Sequence, residues 1–271
     1  MKTQIQPKHS HIFCIDSDGC AMNTMTVKHQ KFFGPLIIKY FHINDQEKFL
    51  TYWNKLNLYS KTRGINRFVG LVTAFKAFNY PNISNLEEWV NTTKEYSTQS
   101  LKKAIAQYQS TDLKNALAWS NAVNQRIAAE STTFKPFKAA VTAIQKLATD
   151  ADIAIVSSAN KQAILSEWKR NHLLENVEII FGQEDGKKAD CLEKLSQFYS
   201  KQSIMMIGDA IGDYQAAQKA QTLFYPILVN HENESWELLY KKVIAEFLAN
   251  NYDQQKYYDK FMQNFDELKR Q

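Results

Sequence analysis

The 271 residues carry a formal charge of +5 spread along the chain, and a hydrophobic share of 44% supplies the core of one large or two smaller domains. No Lys/Arg tract marks nucleic acid or an anionic membrane as a partner, and the longest apolar runs, such as "SIMMIG" and "ADIAIV", fall far short of the roughly 20 residues that cross a bilayer. Cys14, Cys20 and Cys191 are odd in number and lack zinc-site spacing, so they read as reduced, buried thiols; the stretch "MKTQIQPKHSHIFCID" has no leader pattern, which makes the cytoplasm the expected compartment.

The first apolar run, "HIFCID", predicts a buried strand ending at Asp16, with Asp18 two residues on. Side chains two apart share one side of an extended chain, so the carboxylates converge, and Gly19 permits a tight departure. From about Asn23 to Thr132 no strand series follows. The segment reads as a helical insertion, giving a core of residues 1–22 and 133–271 and a cap of residues 23–132. Within the cap Asp45 is placed to start "QEKFLTYWNKL", Ser84 and Glu87 have capping-box spacing, and Asp112 is placed to start "LKNALAWSNAVNQRIAAE". "YSKTRGINRFVG" gathers Arg63, Asn66 and Arg67 around Gly64. On a helix Arg63 and Arg67 share a face at i,i+4, either reading a second anionic or hydroxyl-rich part of a substrate or standing solvated or paired with cap carboxylates. Pro136, its φ preset for a first helical turn, marks the return to the core.

Four further apolar runs follow, "ADIAIVSS", "VEIIFG", "SIMMIGD" and "LFYPILV", with the continuous apolar character of parallel strands buried on both faces. Helical stripes precede and separate them: Ala140, Ile144 and Leu147; Ile164, Leu165 and Trp168; Leu192, Leu195 and Phe198. A last stripe of Tyr258, Phe261, Phe265 and Leu268 predicts a helix packed on the chain's own core or on another copy. Each middle strand ends in chemistry. Ser157 and Ser158 offer hydroxyl and N–H groups to an anion, Lys187 and Lys188 offer an ammonium, and Asp209 and Asp213 offer hard oxygens suited to Mg²⁺. Singly, a Ser pair is often a helix cap, a Lys pair a wet surface and an Asp-x-Asp-Gly a solvated turn; two carboxylates closing a buried strand are more specific, because burying them without a cation is costly.

In order and context these pieces resemble the four motifs of the haloacid dehalogenase-like hydrolases, over nearly the whole α/β portion. The resemblance implies a Rossmann-like parallel sheet with an inserted α-helical cap. It implies Asp16 as nucleophile and Asp18 as general acid/base, with Mg²⁺ held by Asp16, the Asp18 backbone carbonyl and Asp209, and Asp213 in support. Ser157 matches the second motif's Ser/Thr. The third motif's base is Lys188 or Lys187, with Lys188 preferred because relatives commonly place it two residues after such a glycine. Cys20 stands where many relatives have Thr or Val. An insertion directly after the first motif looks like the cap of the phosphoglycolate phosphatase and β-phosphoglucomutase branch, though longer. The expected activity is a Mg²⁺-dependent phosphatase acting on a small phosphorylated metabolite; the alternatives are a phosphomutase and a catalytically silent binding protein on the same fold.

Overall fold

The five apolar runs become five short strands in the structure, a computed structural model that describes residues 5–268. The first four residues of the stretch read for a leader, and the last three of the chain, lie outside the described residues. β1 (Ile12–Ile15), β2 (Asp152–Val156), β3 (Ile179–Phe181), β4 (Ile204–Gly208) and β5 (Leu223–Pro226) form one parallel sheet in the order β3-β2-β1-β4-β5. Ile12 is in register with both Asp152 and Ile204, which brings the ends of the three middle strands level. Alternate residues serve opposite faces: Phe13 and Ile15 join one apolar cluster, Ile12 and Cys14 the other. The continuous hydrophobicity of the runs is thereby accounted for. All three cysteines are buried and free.

Between β1 and β2 the chain makes α1 (Met25–Lys28), a π-helical turn (His29–Phe33), α2 (Gly34–Phe41), α3 (Gln46–Leu58), α4 (Arg67–Ala77), α5 (Ser84–Thr92), α6 (Thr98–Tyr108) and α7 (Thr111–Glu130). Asp45 caps α3 by accepting the Lys48 N–H. The capping box expected at Ser84 does not form: Ile83 takes the cap position, and the Leu86 N–H donates instead to Oδ2 of Asp112 at 2.8 Å. One carboxylate at the start of α7, whose Oδ1 accepts the Leu113 N–H, thus serves two helix starts. Trp119 holds this helical unit together, edge-on to Phe33, Trp53 and Phe68, with its indole N–H on the Phe33 carbonyl.

Chain exit and return are paired. Met22 forms an antiparallel bridge with Pro136, flanked by hydrogen bonds from the Asn23 N–H to the Lys135 carbonyl and from the Phe137 N–H to the Ala21 carbonyl. Pro136 is therefore extended, not the first turn of a helix; α8 (Lys138–Asp150) begins two residues later. The remaining helices, α9 (Lys161–Arg170), α10 (Lys188–Leu195), α11 (Ile211–Ala220), α12 (Glu232–Leu238), α13 (Ile244–Leu248) and α14 (Gln254–Leu268), cover the two sheet faces. Phe261, Phe265 and Leu268 are buried on the chain's own core, and Tyr258 stacks on Tyr214. Phe198 departs from its predicted stripe: α10 ends at Leu195, which leaves Phe198 39% exposed while Tyr199 turns inward. Among the described residues no helix is long and apolar enough to cross a membrane.

Candidate active site

Because β1 is central, the residues that follow β2, β1 and β4 emerge side by side, at the carboxyl edge where open α/β sheets bind ligands. Asp16 extends the ladder by donating its N–H to the Ile207 carbonyl (2.9 Å), and its Oδ1 accepts the Ser17 N–H (2.7 Å). Ser17 is fixed by the indole N–H of Trp168 (2.9 Å). Lys188, at the first turn of α10, puts its ammonium 3.0 Å from Oδ2 of Asp16 and also on Oδ1 of Asp213. Burial alone would lower its pKa, yet these two carboxylates raise it above the ordinary lysine value, and it stays charged. Lys187, one residue earlier, is exposed.

Asp16, Asp209 and Asp213, all buried, each offer an oxygen within 4.8 Å of the others. Oδ1 of Asp209 is buried without a hydrogen-bond partner. Burial pushes Asp209 up to about 6 against the pull of Arg63, and Asp213 up to about 7 against the pull of Lys188; Asp16 adds to both shifts. An orphaned acceptor among crowded carboxylates is a donor set that fits a hard divalent cation such as Mg²⁺. Two glycines make the crowding possible. A side chain at Gly19 (φ +82°) would lie 2.4 Å from Oδ2 of Asp209, and one at Gly208 would meet Asp213 at 2.2 Å.

Asp18 stands apart from that trio. Its Oδ1 accepts the Thr24 hydroxyl and the Lys28 ammonium (2.6 Å). Burial would raise its pKa, but the Lys28 charge and these hydrogen bonds bring it below the usual carboxylate range. Ser157 already spends its N–H on the Phe181 carbonyl (3.0 Å), so only its hydroxyl is left to donate to an anion. That corrects the expectation that both its groups would serve. Ser158 is half-buried and lines the site. A cavity of about 60 Å³ lies between the strand ends and the helical insertion, lined by Asp16, Asp18, His29, Arg67, Ser157 and Asn160 among others. A groove of about 280 Å³ adjoins it, bordered by Asn66, Tyr96, Ser158, Lys188 and Asp213.

The insertion's basic pair does not share a helix face. Residues 60–64 form turns, Gly64 has φ +73°, and α4 starts only at Arg67, so the two guanidiniums diverge. Arg63 is buried and binds Oδ2 of Asp209 through Nε at 2.6 Å, a carboxylate of the core and not of the insertion. Arg67 stacks on Phe33, with its centre 4.8 Å from the ring centroid, and donates to Asn124 (2.7 Å). Asn66 caps α4 with its carbonyl oxygen on the Phe68 N–H.

A model of the haloacid dehalogenase-like hydrolases matches residues 65–227, from the start of α4 through β5. The chain belongs to this family. Asp16 and Asp18 precede the matched span, so their place in this haloacid dehalogenase-like site rests on geometry. Solved structures share the fold: a protein from Lactobacillus delbrueckii subsp. bulgaricus, provisionally described as a phosphoglycolate phosphatase, aligns with TM-score 0.53 at 11% identity, covering 81% of this chain and 86% of its own. A hydrolase from Pseudomonas syringae aligns with TM-score 0.51 at 14% identity, covering 83% and 90%. A haloacid dehalogenase-like hydrolase from Bacteroides fragilis, also provisionally described, gives 0.51 at 14%, covering 84% and 93%. No curated protein matches the chain by sequence.

Sequence reasoning passed over Thr24, Lys28, His29 and Glu167. The available signal was a charge on an apolar helical stripe: Glu167 beside Ile164 and Trp168, and Lys28 three residues after Met25. His29 is buried against Phe33 and Trp53, and burial lowers its pKa to about 3.

Proposed function

We propose that this haloacid dehalogenase-like hydrolase is a Mg²⁺-dependent phosphatase acting on a small phosphorylated metabolite. The observation that carries the reading is the Lys188 ammonium locked between Asp16 and Asp213, beside a trio of carboxylate oxygens with one orphaned acceptor. A phosphate monoester repels an anionic nucleophile, so attack requires positive charge against the phosphoryl oxygens. Lys188 supplies a fixed positive charge beside Asp16, and the Ser157 hydroxyl is a further donor. Asp16, Asp209 and the Asp18 backbone carbonyl would hold Mg²⁺, with Asp213 in support; bound there, the ion would neutralise charge on the phosphoryl oxygens.

Asp16 attacks phosphorus, the bond to the ester oxygen breaks, and Asp18 gives that oxygen its proton. Asp18 then takes a proton from the water that opens the aspartyl phosphate, so that the carboxylate of Asp16 and free phosphate are regenerated. The Lys28 charge and the hydrogen bonds on Asp18 favour its ionised form, the form that the second half needs. For the first half, the anionic phosphoryl group itself raises it as a like charge. The two cavities suit a phosphoryl group in the smaller and a leaving group in the larger. Phosphate release from a panel of phosphorylated metabolites, with Mg²⁺ and with EDTA, tests the reading beside Asp16→Asn. Turnover that survives in Asp16→Asn or is indifferent to EDTA would sink it.

A further inference from the structure

Two buried ions that this chemistry leaves unused stand behind Asp18. Lys28 closes α1, in the segment that leaves the core, and Glu167 belongs to α9 on the core side. The ammonium lies 2.6 Å from Oδ1 of Asp18 and 2.7 Å from Oε1 of Glu167, with the Lys28 and Glu167 side chains 4% and 1% exposed. An apolar pair would fill the same volume without the cost of desolvating two charges, so an ion pair here needs a reason beyond packing. The hydrogen bonds on Asp18 supply one. Lys28 and Thr24 both donate to Oδ1, and among the described residues Oδ2 accepts nothing, although Asp18 lines the cavity between core and insertion. Two donors on one oxygen fix the plane of the carboxyl group and reserve the other oxygen. Glu167 holds the ammonium from behind and balances its charge.

We propose that Lys28, anchored by Glu167, is a positioning residue that orients Asp18 so that Oδ2 alone delivers and accepts the proton. The inference rests on the phosphatase reading, and its test separates the two. Lys28→Met/Glu167→Gln removes the pair together, leaving the Thr24 hydroxyl as the donor to Asp18, and single-turnover release is measured with Mg²⁺ for an alkyl phosphate and for 2,4-dinitrophenyl phosphate, whose leaving group needs no proton. General acid catalysis typically contributes about 10²- to 10⁴-fold, so misorienting the acid should slow alkyl release at least about 10-fold while dinitrophenolate release changes less than about 3-fold. KM for either ester should hold, and the same double change in an Asp18→Asn background should add no loss. An equal loss on both esters, or none on either, overturns the proposal. If the unmodified protein cleaves neither ester, the phosphatase reading fails, and crystal structures decide on Lys28: an Asp18 carboxyl turned by the double substitution upholds positioning, an unmoved one refutes it.

Discussion

Lys187 and Lys188 are neighbours with opposite surroundings, one in solvent and one between two carboxylates. Lys188→Ala should therefore lower kcat by about 10²-fold or more, as loss of a transition-state donor does, and Lys187→Ala should leave it within about 3-fold; equal effects in a steady-state assay would refute the assignment. Arg63 reaches a core carboxylate, so Arg63→Ala should depress turnover of a small generic phosphoester as much as that of a bulky one. Selective loss on the bulky ester alone would place Arg63 against the leaving group instead. His29 gives a pH prediction with a definite sign. Its pKa falls from 6.5 unfolded to about 3 folded, so the unfolded chain binds the extra proton, and stability is lost as pH falls below 6.5 by about 1.4 kcal/mol per unit. Glu167, pushed up to about 7 by burial, acts oppositely in the same window, so the comparison must be between variants. Relative to the unmodified chain, His29→Phe should gain roughly 2 to 4 °C in Tm for each unit of acidification from pH 6.5 to 4.5, read by calorimetry. The strand-end acids were legible because a buried apolar run that stops at carboxylates leaves charge at low dielectric unless a cation stands near it. Lys28 and Glu167 were not, since a charge on a helical stripe reads equally well as a long side chain snorkelling to water.

Among the elements, strands and long helices followed from periodicity, while their ends depended on partners remote in sequence. Nothing near Ser84 announces that Asp112, 26 residues beyond Leu86, will cap α5. Pro136 was read for its φ alone, but the bridge to Met22 decides its conformation, and that pairing spans the whole insertion. Phe198 fits the α10 stripe until the helix stops at Leu195. The helical insertion packs around Trp119, which touches three aromatic rings and spends its N–H on a backbone carbonyl. Trp119→Ala should cost about 3 to 5 kcal/mol in denaturant unfolding followed by circular dichroism, and trypsin should cut first within residues 34–130. A loss under about 1 kcal/mol, or first cuts in the α/β portion, would contradict a Trp119-centred core for the insertion.

On the scale of the molecule, the antiparallel bridge between Met22 and Pro136 is a neck through which the helical insertion joins the sheet. The flanking bonds make the two residues a non-hydrogen-bonded pair, whose α-carbons lie about 4.5 Å apart, close enough for a disulfide. Met22→Cys/Pro136→Cys should oxidise readily; if the insertion swings at this neck during turnover, the oxidised form should lose most of its kcat and recover it with dithiothreitol. Unchanged kcat would move the hinge elsewhere. The neck also bears on inheritance. A segment that leaves and re-enters at adjoining points can be exchanged between genes as a cassette, since two breakpoints suffice and no strand of the sheet is cut. Thr24 and Lys28 lie just inside that cassette's leading edge, and both hold Asp18, which lies outside it. Any transplanted insertion must therefore bring its own grip on the acid, so recombination here would couple a change of specificity to a retuning of proton transfer.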